Sequence, residues 1–173
     1  MSSDHPLLQE IQKGESKTLE FKQQLPKGQQ IAKTLIAFAN SSGGKLVIGV
    51  TDDRQLVGIQ EDIFVLQDKI TSMIYELCSP QLAAQIYIEN IAGIELLVVE
   101  VARGSLFPYY LKPVGREQGT YIRLGASNRV IPQPLGVVVA VRYGWGGLFV
   151  LVLSVGCFFF FFFKQKTAYE IDM

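Results

Sequence analysis

A run of small polar residues, Asn40-Ser41-Ser42-Gly43-Gly44, links a predicted helix to a predicted apolar strand. Such residues expose backbone N–H groups and hydroxyls, which suit phosphate oxygens. A helix cap followed by a tight turn would also account for Gly43 and Gly44, because helices commonly end on a glycine in the left-handed conformation. The turn is favoured for the two glycines, and Asn40 and Ser41 stay candidates for a phosphate contact.

Arg123 lies at the end of a predicted strand, directly before a second small polar turn that ends at Asn128. A cation beside such a turn fits a contact with phosphate, for which guanidinium groups are well shaped. The alternative is an ion pair inside the protein with Glu15 or Glu20. The residue types alone leave both interpretations open.

Histidine and cysteine give little scope for metal or disulfide chemistry. His5 is the only histidine and lies in a polar N-terminal segment, while Cys78 and Cys157 form no disulfide framework. A His/Cys metal site is therefore excluded, and any bound metal would need oxygen ligands, as Mg²⁺ and Mn²⁺ do. Without a secretory signal, we expect a reducing, cytoplasmic setting.

The formal net charge of zero conceals three segments of different charge. Residues 13–45 hold six lysines against two glutamates, residues 52–100 hold nine acids against two bases, and residues 103–129 hold five bases against one acid. If the fold joins the two basic segments, one face could attract phosphate. The alternative is an ordinary solvated surface.

Hydrophobic spacing predicts an α+β fold: a mixed β-sheet of about six strands with two main helices packed on it. The run Lys45–Val50 is almost continuously apolar, which predicts a central strand covered on both faces. The other predicted strands are Ser16–Lys22, Leu56–Ile59, Gln85–Glu89, Ile94–Val101 and Thr120–Leu124, and the helices are Gln29–Asn40 and Glu61–Leu77.

The chain is predicted to comprise a polar leader (1–14), in which a short helix is possible, one domain (15–134) and an apolar tail (135–173). Residues 146–163 are long and apolar enough for a membrane span. However, six consecutive phenylalanines followed by Lys164–Glu170 (KQKTAYE) resemble a homopolymer and a sequencing-library adapter translated in frame. We therefore expect a truncated reading frame with a non-native tail, and no membrane partner.

Three motifs in this order resemble the AlbA_2 (Schlafen-type) family over roughly residues 10–130. They are ESKTLEFK (15–22), IAFANSSGGKLVIGVTD (36–52) and YIRLGASN (121–128), of which the second is the most specific. The family occurs in bacterial and archaeal transcriptional regulators and in the nuclease core of Schlafen proteins. The resemblance implies a nucleic-acid-binding domain, and no GxxxxGK[ST] motif supports ATP hydrolysis.

In Schlafen nucleases, two glutamates of the first motif and an aspartate after the strand of the second form a metal-binding carboxylate set. The resemblance transfers these roles, catalytic and metal-binding, to Glu15, Glu20 and Asp52, with Asp53 a substitute for Asp52. Three such ligands would hold Mg²⁺ or Mn²⁺ and activate water. Glu15 and Glu20 converge only if Glu15 lies in a turn before the strand. The alternative is that these acids pair with lysines or cap turns.

The first hypothesis is a DNA- or RNA-binding module of a transcriptional regulator, without a required cofactor. The alternatives are a metal-dependent endoribonuclease and a protein-interaction domain, including a homo-oligomer formed through a sheet edge. The predicted nucleic-acid-binding residues are Lys17, Lys22, Asn40, Ser41, Lys45, Arg116, Arg123, Asn128 and Arg129.

Overall fold

The computed structural model describes residues 5–26 and 28–131 with their side chains, and the backbone of three strands within residues 137–163. The helices in the first part are α1 (Pro6–Lys13), α2 (Gln30–Ala39), α3 (Ile63–Leu77) and α4 (Gly115–Gly119), with a 3-10 turn over Lys112–Val114. Its strands are β1 (Leu19–Lys22), β2 (Gly44–Ile48), β3 (Cys78–Ser79), β4 (Ala84–Ile91), β5 (Ile94–Val101), β6 (Tyr110–Leu111), β7 (Tyr121–Leu124) and β8 (Ser127–Val130).

The main sheet has four strands in the order β1-β2-β5-β4. Strand β2 runs parallel to β1 and antiparallel to β5, which also pairs with β4 in a hairpin. The predicted central position of β2 is confirmed: Leu46, Val47 and Ile48 are all buried. The sheet is mixed, and the predicted α+β class is confirmed.

Side chains alternate across the main sheet and form two hydrophobic cores. Leu46 and Ile48 of β2 face a core that includes the apolar sides of α2 and α3. Val47, between them, faces the other core, where Leu7 and Ile11 of α1 are buried. The short helix within the predicted polar leader therefore covers one face of the sheet.

Helix starts and ends follow local chemistry. The carboxylate of Asp62 caps α3 by accepting hydrogen bonds from the N–H groups of Phe64 and Val65, at 2.9 and 3.1 Å. After α2, the N–H of Gly43 donates to the carbonyl of Phe38, and Gly43 has a φ of 78°. Helix α2 therefore ends on a glycine in the left-handed conformation, as the sequence predicts for Gly43.

Two predicted strands differ from the structure. Residues 56–59 contribute one isolated bridge, Val50–Leu56, because positive φ angles at Gly49 and Gly58 interrupt a regular ladder. The predicted strand Thr120–Leu124 is present as β7, but it pairs with β8 in a separate hairpin. The strands thus divide into a four-stranded sheet and two smaller pairs, β7–β8 and β3–β6.

The chain splits into two compact units, residues 1–131 and 132–173. Within the second, β9 (Val137–Tyr143), β10 (Gly147–Ser154) and β11 (Cys157–Phe163) form an antiparallel sheet with β10 in the centre. Among the helices of the described residues, none has the length and hydropathy needed to cross a bilayer. The adapter-like segment Lys164–Glu170 lies outside the described residues.

Candidate nucleic-acid interface

The guanidinium of Arg123 lies at the centre of a buried polar network. Its Nη2 is 2.6 Å from Glu20 Oε2 and also donates to the carbonyls of Leu19 and Ser16, while its Nε donates to Ser16 and its Nη1 to Asn128 Oδ1. The residue is 2% exposed, and its guanidinium lies 5.2 Å from the centre of the Phe38 ring. Of the two interpretations of Arg123, the structure shows the pair with Glu20.

The polar residues that end α2 belong to the same network. Asn40 donates from Nδ2 to the carbonyls of Tyr109 and Tyr121 and accepts from the N–H of Tyr109. The Ser41 hydroxyl oxygen accepts from the N–H of Arg123, and Asn128 Nδ2 donates to the Thr34 hydroxyl. Asn40, Ser41 and Asn128 therefore connect α2 to the β7–β8 hairpin.

The two glycines after α2 are required by packing. A Cβ on Gly43 would lie 2.8 Å from the carbonyl oxygen of Val101, and one on Gly44 would lie 2.6 Å from the Phe38 ring. The N–H groups of Ser41 and Gly43 donate to Phe38, and that of Lys45 donates to Thr18. These N–H groups are thus used within the fold.

Glu15 lies in a bend before β1. Its carboxylate and that of Glu20 therefore approach the same group, which is the ammonium of Lys22. Lys22 Nζ is 2.8 Å from Glu20 Oε1 and 3.3 Å from Glu15 Oε1. Burial lowers the pKa of Lys22, but hydrogen bonds and attraction from Glu20 and Glu15 outweigh it and raise the pKa above 10.5. Lys22 and Arg123 together offset the charge of the two glutamates.

The predicted metal set is not assembled. Asp52 is exposed in the turn after β2, and no three His, Cys, Asp or Glu residues of the described segments are grouped so that they could hold a metal ion. Both oxygens of Glu20 already contact cations. Glu15, Glu20 and Asp52 therefore do not fit a divalent ion as a set.

The remaining predicted cations differ in availability. Lys45 is 3.5 Å from Glu10, so its charge is partly offset. Lys17, Arg116 and Arg129 are exposed, and none has an ion pair among residues 5–131 that the structure describes. Lys13, which was not predicted to bind nucleic acid, is also exposed and has no ion pair within the described residues.

The Arg123 network joins the two basic segments of the sequence. Lys17 follows Ser16, and Arg129 follows Asn128, so each is next in the chain to a residue that Arg123 contacts. Lys33 of α2 is also placed against β7, with its Nζ 5.6 Å from the centre of the Tyr121 ring. The backbone at Lys17, in the first basic segment, and at Arg129, in the second, is therefore brought to the same part of the domain, where Lys33 also lies.

A cleft of about 300 Å³ lies beside this network. Glu20, Lys22, Ile31, Lys33 and Tyr121 are among its lining residues. A second cleft, of about 360 Å³, includes Ser42, Lys45 and Lys13 together with Glu10 and Glu100. The first combines an aromatic ring with cations, whereas the charges named in the second are balanced.

Lys33 and the pairing of cations with aromatic rings on the surface were not predicted from the sequence. Besides Lys33 and Tyr121, Arg103 lies 5.4 Å from the Phe107 ring and Lys112 lies 5.6 Å from the Tyr75 ring, but neither of these two pairs lines the first cleft. Tyr75 and Phe107 are 69% and 47% exposed. Aromatic residues interspersed with bases in residues 103–123 were the available signal.

Comparison with known proteins gives one family: the family described as Schlafen, AlbA_2 matches residues 15–132. An uncharacterized ATP-binding protein of Ureaplasma parvum is 38% identical over 73 residues, which cover 39% of this chain and 21% of that relative. The match thus spans about a fifth of the relative's length.

Two solved structures resemble the fold. The N-terminal domain of a RecG-related protein from Nitrosomonas europaea gives a TM-score of 0.55 at 29% identity, covering 74% of this chain and 94% of that domain. The DIP2311 protein of Corynebacterium diphtheriae gives a TM-score of 0.50 at 18% identity, covering 72% of this chain and 26% of that one. The second likeness concerns the fold alone.

Proposed function

The chain belongs to the Schlafen AlbA_2 family, and on that basis we propose that residues 15–132 form the nucleic-acid-binding domain of a transcriptional regulator. The observation that carries the proposal is the joining of the two basic segments by the Arg123 network. It brings exposed cations from both segments to one part of a domain whose net charge is zero. Cations grouped in this way can contact successive phosphates.

In this proposal seven of the nine predicted residues divide into two groups, and Lys22 and Lys45 belong to neither because glutamates offset their charges. Lys17, Arg116 and Arg129 contact phosphate, because they are exposed and have no ion pair in the described part of the chain. Arg123, Asn40, Ser41 and Asn128 are positioning residues, because their polar groups are bonded inside the protein. Phosphate contacts carry no base information, so we expect little sequence preference from the first group.

The test is the salt dependence of binding to fluorescently labelled DNA and RNA. Each phosphate contact contributes about −0.7 to −0.9 to the slope of log affinity against log salt. Lys17→Gln, Arg116→Gln and Arg129→Gln should each lower the affinity and reduce that slope. Lys69→Gln is the matched control, since Lys69 is exposed on α3 but paired with Glu61 at 2.7 Å.

Two results would contradict the proposal. One is that the whole chain binds neither DNA nor RNA at low salt. The other is that Lys69→Gln reduces the slope as much as the three substitutions do. The nuclease alternative is not proposed, because Glu15, Glu20 and Asp52 do not form a group of three metal ligands. The cytoplasmic setting stays a prediction, as does homo-oligomerisation, for which β4 offers an edge of the main sheet.

A further inference from the structure

The cleft of about 300 Å³ has the form of a small ligand site. Ile31 and Leu46, each 1% exposed, contribute apolar surface to it, and Pro26 also lines it. Lys22, Lys33, Gln30 and the carboxylate of Glu20 supply polar groups around that surface. Its volume is at the lower end of the range for ligand pockets, which are mostly apolar with a few polar groups that fix orientation.

Tyr121 and Lys33 give the cleft a surface on which a flat ring can stack. Tyr121 is partly buried against the core, and Lys33 Nζ lies 5.6 Å from the centre of its ring. Proteins that bind single-stranded nucleic acid pair such aromatic platforms with cations that contact the neighbouring phosphates. The second cleft, around Ser42 and Lys45, has no aromatic residue among its described lining residues.

The polar groups in the first cleft suit the edges of an unpaired base. Gln30 is exposed, and its amide has no hydrogen bond within the described residues, so it can both donate and accept. The Glu20 side chain is 11% exposed and both its oxygens contact Lys22 or Arg123, so the Gln30 amide is the group that can meet a base edge. In a duplex these edges are paired and the rings are stacked, so a base could enter only after costly extrusion.

We propose that this cleft holds one unpaired base of single-stranded nucleic acid, stacked on Tyr121, with Lys33 beside a flanking phosphate. The inference deepens the proposed function and rests on it. The shared chemistry is a nucleobase next to a phosphate, which single-stranded DNA, single-stranded RNA and a free nucleotide all offer.

The experiment compares the whole chain with variants, using one labelled single-stranded DNA, the same sequence as RNA, its DNA duplex, and adenosine monophosphate as a competitor. The single strands should bind about tenfold more tightly than the duplex. Tyr121→Leu should weaken single-strand binding about 5- to 100-fold, as loss of one stacked base does, and leave duplex binding unchanged. Tyr121→Phe should keep the affinity, because it keeps the ring.

Tyr75→Leu is the matched control: Tyr75 also has a lysine 5.6 Å from its ring, but it lies outside the cleft. It should leave single-strand binding unchanged. Because Tyr121 packs against the core, Gln30→Ala and Lys33→Gln provide a test that does not depend on that packing. Both should weaken single-strand binding more than duplex binding, even if Tyr121→Leu fails to fold.

Failure of this inference is distinguishable from failure of the proposed function. If DNA and RNA bind with the expected salt slope, but the duplex binds as tightly as the single strands, only the cleft inference is overturned. Equal losses in Tyr121→Leu and Tyr75→Leu would also overturn it. Adenosine monophosphate binding as tightly as the strands would make the cleft a free-nucleotide site instead. If no nucleic acid binds at low salt, both proposals fail.

Discussion

Arg123 shows why the charge of a residue does not by itself indicate a ligand contact. Its guanidinium contacts one carboxylate, one side-chain amide and two backbone carbonyls within the protein. A phosphate could reach it only by displacing these partners, and the Ser16 carbonyl and Asn128 Oδ1 would then lose their donors. The energetic role of Arg123 is therefore to join β1 to the β7–β8 hairpin, and it affects binding by holding other cations in place.

Replacement of Arg123 should consequently act on stability. Arg123→Met removes one partner of a buried ion pair and leaves the Ser16 carbonyl and Asn128 Oδ1 without the donors that Arg123 supplies. Breaking such a pair from one side costs about 3–5 kcal/mol. Urea denaturation measures this loss, and Arg116→Met, at an exposed arginine, should stay within about 0.5 kcal/mol of the unmodified chain.

The opposite pattern would contradict this role. If Arg123→Met left the free energy of unfolding unchanged but reduced the salt slope of nucleic-acid binding, Arg123 would be a phosphate contact.

Lys22 gives a prediction about alkaline pH. Its pKa in the folded chain is raised above 10.5, so its contribution to stability is fully present below about 10.5 and is lost as the pH rises through the folded pKa. Lys22→Met should therefore be less stable than the unmodified chain at neutral pH, and this difference should shrink as the pH rises past 10.5.

The difference between the two proteins is the quantity to measure, because other groups titrate in the same range. Burial and the Glu100 carboxylate raise the pKa of Tyr87 to about 12, and that effect is present in both chains. Lys17→Met, at an exposed lysine, is the control and should show little difference at any pH. A stability difference for Lys22→Met that stayed constant to the highest pH would refute the assigned role.

The sequence could raise the alternatives for these residues but could not decide between them. A pair between Arg123 and Glu15 or Glu20 was conceivable from charge alone. The bond that forms joins residues 103 positions apart, and whether those positions meet depends on the packing of the β7–β8 hairpin. The same holds for Lys22: its two acidic neighbours are near in sequence, but their convergence depends on the bend that contains Glu15.

Among the elements, the junction between α2 and β2 has the strictest backbone requirements. Gly43 combines a φ of 78° with a close approach to the Val101 carbonyl, whereas Gly93 in the β4–β5 turn has a φ of 87° and nothing within 4 Å of an added Cβ. Gly93→Ala should therefore lower the free energy of unfolding only by the strain of placing alanine in the left-handed conformation, about 1–2 kcal/mol. Gly43→Ala should cost more, because the Val101 carbonyl must also move.

Thermal or urea unfolding of the two glycine variants checks this order. Equal losses would show that the backbone near Val101 adapts freely and that Gly43 has no special packing role. If Gly43→Ala were as stable as the unmodified chain and lost only nucleic-acid affinity, the phosphate-contact interpretation of this loop would be restored.

Elements with strong local signals were predictable, and those fixed by distant contacts were not. Apolar spacing predicted both ends of α2 and α3 to within two residues, and the apolar run of β2 predicted that this strand is central in the sheet. Strands β3 and β6, of two residues each, pair with one another over a long stretch of chain and have no periodicity to detect. Pairing of β7 with β8 instead of the main sheet likewise depends on Asn40, Ser41 and Arg123, which connect this hairpin to α2 and β1.

On the scale of the whole chain, the separation of acidic and basic segments along the sequence determines which elements of the fold are acidic and which are basic. The nine acids of residues 52–100 belong to a stretch that contains α3 and the β4–β5 hairpin. The basic stretches before and after it meet at α2, β1 and the β7–β8 hairpin. A chain of zero net charge can in this way bind a polyanion with a steep salt dependence, because the local grouping of cations decides the counterion release.

The separation into two units leads to the last prediction, which concerns folding without the apolar tail. Among the residues whose side chains the structure describes, both hydrophobic cores are formed within 1–131, so a shortened chain of residues 1–134 should fold and stay in solution. Cys78 is its only cysteine, is 0% exposed, and burial raises the pKa of its thiol to about 12. Because the thiolate is the reactive species, a thiol reagent should label Cys78 only after denaturant is added.

Measuring the labelling rate against urea concentration gives the unfolding transition, with the exposed-site variant Ser127→Cys as a control that should react at once. Immediate labelling of Cys78 in the shortened chain, but not in a whole chain that carries Cys157→Ser, would show that residues 135–173 are needed for the fold.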